Sequence, residues 1–314
     1  MTTSTAAAGS APPAPEETPP GTTDEARTRR RDRWIATAVG LAIVFVFVVA
    51  IFAGDRLGIP LGLADRLEGA ILDTRFSMRG PLEPSPRVAL AAIDQFTIDR
   101  YGRFPLDRRV LADALCALGE LGAEQVVVDL VFTEASDTAA DDALIEALTG
   151  CDVPIVVGYF FYTETQEAPP LIERERVDKF SREALDIDAH LRGGETHMLA
   201  GTGVHPPHDR FLSRSMPIGH LNLRVDQGGI VRRTQFAIEF EDQLYPSIEA
   251  VAVAGTHTAL DGDGTPLSLT GSVQNPRLTG PGIDIELDGS GAALINYVGP
   301  QGTFPTVSLA EVLE

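Results

Sequence analysis

The segment Gln125–Phe132 has the sequence QVVVDLVF, an apolar run interrupted by a single aspartate. Such a run is typical of a strand that is buried on both faces of a parallel sheet. Similar runs stand at residues 88–93 (VALAAI) and 153–159 (VPIVVGY). Helical spacing of apolar residues separates the three runs, first after an N-cap at Asp107 and again over residues 141–148. The alternation predicts a βαβαβ unit and an α/β fold class.

The second half of the chain is less regular. Periodicity fades between residues 163 and 216, which predicts a long surface insertion rather than a second domain. Two extended runs, 219–225 and 230–240, then flank a glycine turn at 226–229 and predict a hairpin. Near the end, the capping box Ser308-Leu-Ala-Glu311 predicts a helix that the sequence barely begins, so we expect the domain to be incomplete at its C-terminus.

The N-terminal region has a different composition. Residues 1–33 are rich in Thr, Ala and Pro, which predicts a disordered tail, and they end in an arginine cluster between Arg27 and Arg33. Residues 34–54 carry no charge and are long enough to cross a hydrocarbon layer of about 30 Å as a helix. A signal peptide or a buried core helix is the alternative, but Asp55-Arg56-Leu57 follows where a cleavage site would stand. We therefore predict a single N-terminal transmembrane helix at residues 34–54.

Charge predicts the orientation and excludes one class of partner. Arginines beside a first span tend to stay in the cytoplasm, so residues 1–33 are predicted to be cytoplasmic and residues 55–314 to be an extracytoplasmic mixed α/β domain. The formal net charge is −20, and because the charges of the tail cancel, the whole excess lies beyond the predicted span. A nucleic-acid partner is excluded, since phosphate binding requires a basic face.

The chain has two cysteines, Cys116 and Cys151. Their spacing matches no pair of metal ligands. Both are predicted to be buried small apolar residues, and a bridge between them stays open as an alternative because an extracytoplasmic compartment is oxidising.

Several motifs follow one another in a specific order. They are Asp94, Tyr101–Arg108, Val127–Phe132 with Glu134 and Asp141, Gly219–Asn222, Asp226–Arg233, and Leu294–Tyr297 with Phe304. This combination resembles the CHASE domain of the second type, an extracellular sensory module associated with cyclases and histidine kinases. The resemblance extends from about Asp65 to the end of the chain.

The resemblance implies a signal-input domain held outside the membrane by the N-terminal span. In the family, such a domain is normally followed by further spans and by a cytoplasmic adenylate or guanylate cyclase or a kinase. This sequence contains no effector and no phosphate-binding, dinucleotide-binding or nucleophile-elbow motif, so we expect no enzymatic activity and no cofactor. The expected partner is a small-molecule or envelope signal. A homodimer suits a single-span sensor, although no heptad pattern indicates one.

Four residues near the ends of the first two predicted strands are candidate ligand-binding residues. Asp94 follows the first strand and Asp129 lies near the end of the second, where open α/β sheets tend to bind ligands. Arg103 and Arg108 lie between Asp94 and the next helix, where they could hold an anionic ligand or pair with carboxylates. The alternative is a purely structural ion pair between Arg108 and Asp94.

The predicted hairpin supplies three more candidates. Arg232 and Arg233 have donors for an anion, but neighbours on a strand point to opposite faces, so only one of them is expected in a site. Asn222, on the partner strand, joins that site if the hairpin register brings it close.

Two further sets of residues suggest metal sites as alternatives. The first set, which would support a membrane-anchored metal-assisted hydrolase, is Asp94, Asp129, Glu134 and Asp141. The second set, which would suit zinc, is His205, His208 and Asp209. Neither metal is predicted, because nothing in the spacing forces the side chains together. A non-catalytic interaction protein of the envelope is the third function considered.

Overall fold

The computed structural model of the chain describes residues 34–46, 48–49, 62–164, 172, 174–184, 187–193, 197–212, 216–226, 228–261 and 267–314. The predicted tail at residues 1–33 and the end of the predicted span lie outside the described residues. Residues 34–46 and 48–49 are helical and their side chains are exposed. Among the described residues, no helix combines the length and the apolar character that crossing a membrane requires. The chain divides into two units, residues 1–68 and residues 69–314.

Helices occur mostly in the first half of the chain. Asp94, Asp107 and Asp137 each cap a helix by accepting a backbone N–H bond, as polar N-cap residues do. The predicted cap at Asp107 is confirmed. The helices are α1 (Gly62–Arg79), α2 (Gln95–Tyr101), α3 (Arg108–Glu120), α4 (Thr138–Gly150), α5 (Arg174–Glu183), α6 (Ile248–Asp261) and α7 (Leu309–Val312), with a short 3-10 helix at Asp209–Phe211.

The strands are short except for β3, and they become frequent after residue 188. They are β1 (Leu90–Ala92), β2 (Val126–Val131), β3 (Ile155–Thr163), β4 (Asp188–Arg192), β5 (Leu199–His205), β6 (Ile218–His220), β7 (Leu223–Val225), β8 (Val231–Gln235), β9 (Ala237–Phe240), β10 (Gln243–Pro246), β11 (Ser268–Ser272), β12 (Pro276–Gly280), β13 (Ile283–Glu286), β14 (Ala292–Leu294) and β15 (Thr306–Ser308). The mixed α/β architecture agrees with the predicted class.

The main sheet is built around β3. Its strand order is β10-β9-β5-β3-β2, and β6 also pairs with β3. β2 and β3 are parallel, with Val126 opposite Ile155, as the two apolar runs predict. Val157 and Phe161 of β3 are fully buried in one core with Leu144 of α4. This core fixes the carboxyl ends of β2 and β3 and the loops that follow them.

The predicted βαβαβ unit is wrong at its first strand. β1 pairs with β15, in parallel and with Leu90 opposite Thr306, and the two form a separate two-stranded sheet. The backbone N–H of Leu90 donates to the carbonyl of Pro305 at 2.9 Å. The strand that pairs with β1 is therefore a C-terminal segment, and not β2 as the βαβαβ prediction implied.

A disulfide joins the two helices that pack beside β2. Cys116 lies near the end of α3 and Cys151 directly follows α4, and their sulfurs are bonded with a Cα–Cα distance of 5.2 Å. The bridge left open from the sequence is therefore formed. It ties the two crossover helices together at the end opposite the N-terminus of α4.

The region predicted as a surface insertion contributes to the core instead. β5 pairs antiparallel with β3, and Phe180 of α5 is fully buried. A Cβ added to Gly201 would lie 3.2 Å from the ring of Phe161, so the backbone of β5 approaches that side chain closely. Small residues in β5 permit this approach, and they also remove the alternation that would have predicted a strand.

The predicted hairpin is confirmed, with Leu223 opposite Thr234 and Arg224 opposite Arg233. β14 pairs with the other edge of β8 and completes a three-stranded sheet. The single run predicted at 230–240 is divided, because β8 ends at Gln235 and β9 continues in the main sheet. The capping box at Ser308 and Glu311 is also confirmed.

Candidate functional site

Arg108 lies at the N-terminus of α3 and reaches the loops beyond β2. Its guanidinium donates to the buried carboxylate of Asp141 and to the backbone carbonyl of Glu134. The same group lies 5.7 Å from the ring centroid of Phe132 and 5.1 Å from that of Phe211, distances at which a cation and an aromatic face attract each other. Arg108 does not pair with Asp94, so the structural pair considered from the sequence has a different carboxylate.

Asp141 is the anionic centre of this group of side chains. Only 1% of its side chain is exposed, and it accepts the backbone N–H of Ser136 at 3.2 and 3.3 Å. Arg210 lies 3.6 Å from its second oxygen and donates to Asp142. We call Arg108, Asp141, Asp142 and Arg210 the Arg108 cluster. It joins the loop after β2 to the 3-10 helix after β5.

The chemistry of the Arg108 cluster is electrostatic. Arginines stay protonated at any physiological pH, so they can bind anions but cannot exchange protons. Two cations face two carboxylates, which leaves the cluster balanced. Arg176 also donates hydrogen bonds to loop carbonyls, to that of Thr133 at 2.6 Å and to that of Pro206 at 2.9 Å. The arrangement suits a fixed frame for loops at the carboxyl edge of the sheet, where α/β proteins bind ligands.

The two histidines considered for zinc have different hydrogen-bond partners. The ring of His205 stacks on Phe160 with centroids 4.8 Å apart, and its Nδ1 lies 2.9 Å from the Tyr162 hydroxyl. Burial and the charge of Arg176 lower the pKa of His205. His208 instead accepts the backbone N–H of Arg210 at 3.4 Å. In the described part of the chain, no group of three or more His, Cys, Asp or Glu is placed to hold a metal ion, so the four carboxylates considered as an alternative do not assemble into a site there.

Asp94 is a capping residue. It accepts the Thr97 backbone N–H at 2.9 Å and the hydroxyl of Ser308 at 2.7 Å. The bond from Ser308, followed by that from Thr97, lowers the pKa of Asp94. Asp94 therefore fastens β15 and α7 to the start of α2.

Arg103 and Asp129 do not join the other candidates. Both are exposed. Arg103 forms no hydrogen bond or ion pair with the residues that the structure describes. Asp129 projects from β2, which pairs within the described residues with β3 alone. The structure thus brings neither residue to a common site.

The side-chain amide of Asn222 forms the two hydrogen bonds with β3 that the backbone of a neighbouring strand would form. Its amide oxygen accepts the backbone N–H of Phe161, and its amide nitrogen donates to the carbonyl of the same residue, both at 2.8 Å. The side chain thereby satisfies both backbone groups of one residue in β3. These two hydrogen bonds tie Asn222 to β3, whereas Arg232 and Arg233 bind carboxylates of other segments.

Arg232 holds α1. Its Nε lies 3.0 Å from one carboxylate oxygen of Asp73 and its Nη2 lies 2.7 Å from the other, while Nη1 donates to Asp226. The bond from Arg232 lowers the pKa of Asp73. A Cβ added to Gly69 of α1 would lie 3.2 Å from the guanidinium, so glycine permits this approach. We call Asp73, Asp226 and Arg232 the Arg232 clamp.

Arg233 has its own carboxylate on the opposite face of β8. It donates to Asp288 at 3.1 Å, and Asp288 also accepts the backbone N–H groups of Ser290 at 2.9 Å and Ala292 at 3.1 Å. Burial raises the pKa of Asp288, but these hydrogen bonds outweigh it and the net shift is downward. The prediction that only one of the two arginines would belong to a given site is consistent with this geometry.

Three residues that matter to these contacts were missed from the sequence. No local sequence pattern connects Asp73 to Arg232 or Arg210 to Asp141. Asp288 had a detectable signal, since Asp288-Gly-Ser-Gly291 has the composition of a turn whose aspartate accepts backbone N–H bonds. That signal predicts a turn, but not its arginine partner.

The family model described as CHASE2 domain matches residues 42–314 of the chain. No curated protein matches, and no solved structure matches.

Proposed function

Because the chain belongs to the CHASE2 family, whose domains are extracellular sensory modules of signal transduction proteins, we propose that its α/β unit is the signal-input domain of a membrane-bound signalling protein. In this proposal the N-terminus is cytoplasmic, residues 34–54 anchor the chain, and the remainder lies outside the cytoplasm. The effector is a cyclase or kinase that this chain does not contain.

The character of residues 34–54 supports the anchor. The segment carries no charged residue. In its helical part, Leu41 is 65% and Phe45 68% exposed. Exposing side chains of this size to water costs about 1.5–3 kcal/mol each relative to burial, which a hydrocarbon environment would remove. The arginines before the segment favour a cytoplasmic N-terminus.

The disulfide supports an external location. Bridges persist in oxidising compartments and are rare in the cytosol. Cys116 and Cys151 are bonded. The excess of acidic residues beyond residue 54 further favours a domain that stands away from anionic lipid.

The observation that carries the sensory proposal is the Arg232 clamp. Along the chain, α1 connects the proposed anchor to the strands, so a signal that follows the chain from the domain to the membrane passes through α1. Arg232 holds Asp73 of α1 against the hairpin that also contains Asp226. A change in the hairpin is therefore transmitted directly to the helix. We assign signal entry to the Arg108 cluster, since the carboxyl edge of an open sheet favours ligand binding.

Topology is tested with alkaline phosphatase fused after Glu314 of the full chain in a bacterial host. This reporter is active only outside the cytoplasm, so we expect activity there and none when it is fused after residue 33. A fusion after Glu314 that is found in the membrane fraction but is inactive would contradict the proposed orientation.

Sensing is tested on the full chain in lipid nanodiscs. A panel of small anions and metabolites is screened for a rise in the unfolding midpoint, and amide exchange in α1 is then compared with and without each compound that binds. We expect a stabilising compound to change exchange in α1. Stabilisation that leaves α1 unchanged would contradict the coupling role of the clamp, and a panel without any stabilising compound would favour a non-catalytic envelope interaction protein.

A further inference from the structure

One face of α1 is docked and the opposite face is bare. Gly69, Leu72 and Phe76 are spaced by three and four residues and face the domain; Gly69 is buried, and Leu72 and Phe76 are partly buried. Phe76 packs edge to face on Tyr297 with ring centroids 6.3 Å apart, and Arg79 donates to the Tyr297 carbonyl. These contacts and the Arg232 clamp fix the rotation of α1 about its axis.

The outward face carries a second stripe. Ile71 is 61% exposed and Met78 83%, and Thr74 between them is also exposed. Each lies two residues beyond a docked residue, so at about 100° per residue the stripe lies about 200° from the docked face. In sequence the same spacing continues back to the exposed Leu67. The 4-3-4 spacing is that of the a and d positions of a two-stranded coiled coil.

We infer that this stripe, Ile71, Thr74 and Met78, is an interface for a second copy of the chain, paired in parallel. The inference rests on the proposed anchor, because two copies held in one membrane present α1 in the same direction and at the same height. Residues at equivalent positions then meet in register. This spacing is hard to recognise from the sequence alone, because α1 also has apolar residues on its docked face.

The charges on α1 favour a second copy over a lipid surface. Its acidic and basic residues balance, as the sequence GLADRLEGAILDTRFSMR shows. An interfacial helix on anionic lipid is usually basic on its polar face. In a parallel pair, Ala70 and Ser77 flank the stripe on one side and Glu68 and Arg75 flank it on the other, so Ala70 of one helix lies opposite Arg75 of the second copy. No like charges are brought together.

The size of the stripe explains why pairing needs the membrane. A few side chains per copy bury far less than the roughly 1,200 Å² of a stable interface. Anchoring in one membrane confines two copies to the same surface and orientation, which raises their effective concentration and favours a contact too weak to form in solution. The dimer is therefore expected in membranes.

Cysteine cross-linking of the full chain in native membranes tests the pairing. The native cysteines are bridged, so a single added cysteine provides the free thiol. We expect Thr74→Cys and Met78→Cys to form a disulfide-linked dimer under mild oxidation, several times more than Ser77→Cys, which lies about 100° around the helix, or the exposed loop variant Ser85→Cys. Equal yields at all four positions, or none, would overturn the inference.

A second variant separates loss of pairing from loss of folding or anchoring. Ile71→Lys in the Thr74→Cys background should reduce the dimer to the level of Ser85→Cys, while the chain keeps its native disulfide and its place in the membrane fraction. An unchanged dimer yield would show that the stripe is not the interface. If no variant enters the membrane fraction, the proposed anchor fails and the pairing with it; membrane insertion without cross-linking at Thr74 or Met78 leaves the anchor standing and refutes only the pairing.

Discussion

The guanidinium of Arg232 binds both carboxylate oxygens of Asp73, a residue 159 positions earlier in the chain, at 3.0 and 2.7 Å. A paired arrangement of this kind fixes direction as well as distance, because the planar donors of arginine match the two oxygens of a carboxylate. α1 is thus held at a defined rotation against the three-stranded sheet.

Removing the charge of Asp73 should loosen α1. In Asp73→Asn an NH2 group replaces one carboxylate oxygen. This group cannot accept a hydrogen bond from Arg232, so one of the two bonds is lost. We expect faster amide exchange over residues 69–79 and earlier cleavage of α1 by protease, with the sheets unaffected. Asp113→Asn is the matched control, because Asp113 is an exposed helical aspartate. Equal exchange in both variants would show that the clamp does not hold the helix.

Asp141 should be much more important for stability than its neighbour Asp142. In Asp141→Ala the guanidinium of Arg108, 12% exposed, keeps its charge in a nearly closed site without its carboxylate. Leaving a buried charge unpaired costs about 3–5 kcal/mol of unfolding free energy. Asp142 is 60% exposed, and losing a surface pair costs at most about 1 kcal/mol. Urea denaturation of the two alanine variants measures the difference, and similar losses would contradict the central role of Asp141.

The disulfide should contribute through the unfolded state. The bonded cysteines are 35 residues apart, and closing a loop of that size stabilises the fold by about 2–4 kcal/mol. The Cys116→Ala/Cys151→Ala variant should lose that amount relative to the oxidised protein, and a reducing agent should then have no further effect on it. A reductant that leaves the parent protein unchanged would show that the bridge does not stabilise the fold.

Elements with a strong local pattern were predictable from the sequence, and elements defined by remote partners were not. The apolar runs gave β2 and β3, and Asp107 marked the start of α3. β1 was recognised as a strand, but its partner, Thr306–Ser308, lies near the other end of the chain. α1 escaped prediction because its apolar residues are divided between two opposite faces, which weakens the amphipathic period.

The candidate site shows the same division. The sequence marked Arg108, Arg232 and Arg233 as candidates for binding an anion or pairing with a carboxylate, because of their places near a helix start and on a strand. It could not identify Asp141, Asp73 and Asp288 as the partners, because the pairs form only after the strands have been arranged. The role that Asp94 has in the structure was not predicted from the sequence either. An aspartate that follows a strand can equally begin a helix, and Asp94 does so.

Acid should destabilise the protein through His220. Burial lowers the pKa of this histidine from 6.5 to about 3, although a hydrogen bond with the Tyr245 backbone acts in the opposite direction. Between these values the unfolded chain binds a proton that the folded chain does not, so the free energy of unfolding falls as the pH is lowered. From pH 7 to pH 5 the loss is about 2 kcal/mol.

His220→Phe keeps an aromatic ring at this position, which lies 6.1 Å from the ring of Phe161, and removes the titrating group. The variant should lose less stability than the parent protein between pH 7 and pH 5, as measured by urea denaturation at both values. His197→Phe, at an exposed position, should keep the pH dependence of the parent. If His220→Phe keeps it as well, another group is responsible.

Gly219 should not tolerate a side chain. It precedes His220 in β6, where the strand meets the first turn of α6, and a Cβ at this position would lie 2.4 Å from the Cα and 2.6 Å from the backbone nitrogen of Ile248. Backbone atoms cannot move aside as a flexible side chain can, so Gly219→Ala must shift the helix or the strand. We expect a loss of about 1–3 kcal/mol in unfolding free energy, which is typical of an overpacked core.

Gly150→Ala is the matched control for this position. Gly150 ends α4 with no atom within 4 Å of an added Cβ, and alanine is the better helix former, so its stability should stay equal or rise slightly. Comparing the two variants separates the close contact from the general effect of replacing glycine. A Gly219→Ala protein as stable as Gly150→Ala would mean that α6 does not pack against β6 at this distance, and the Gly219–Asn222 motif would then need an explanation other than packing.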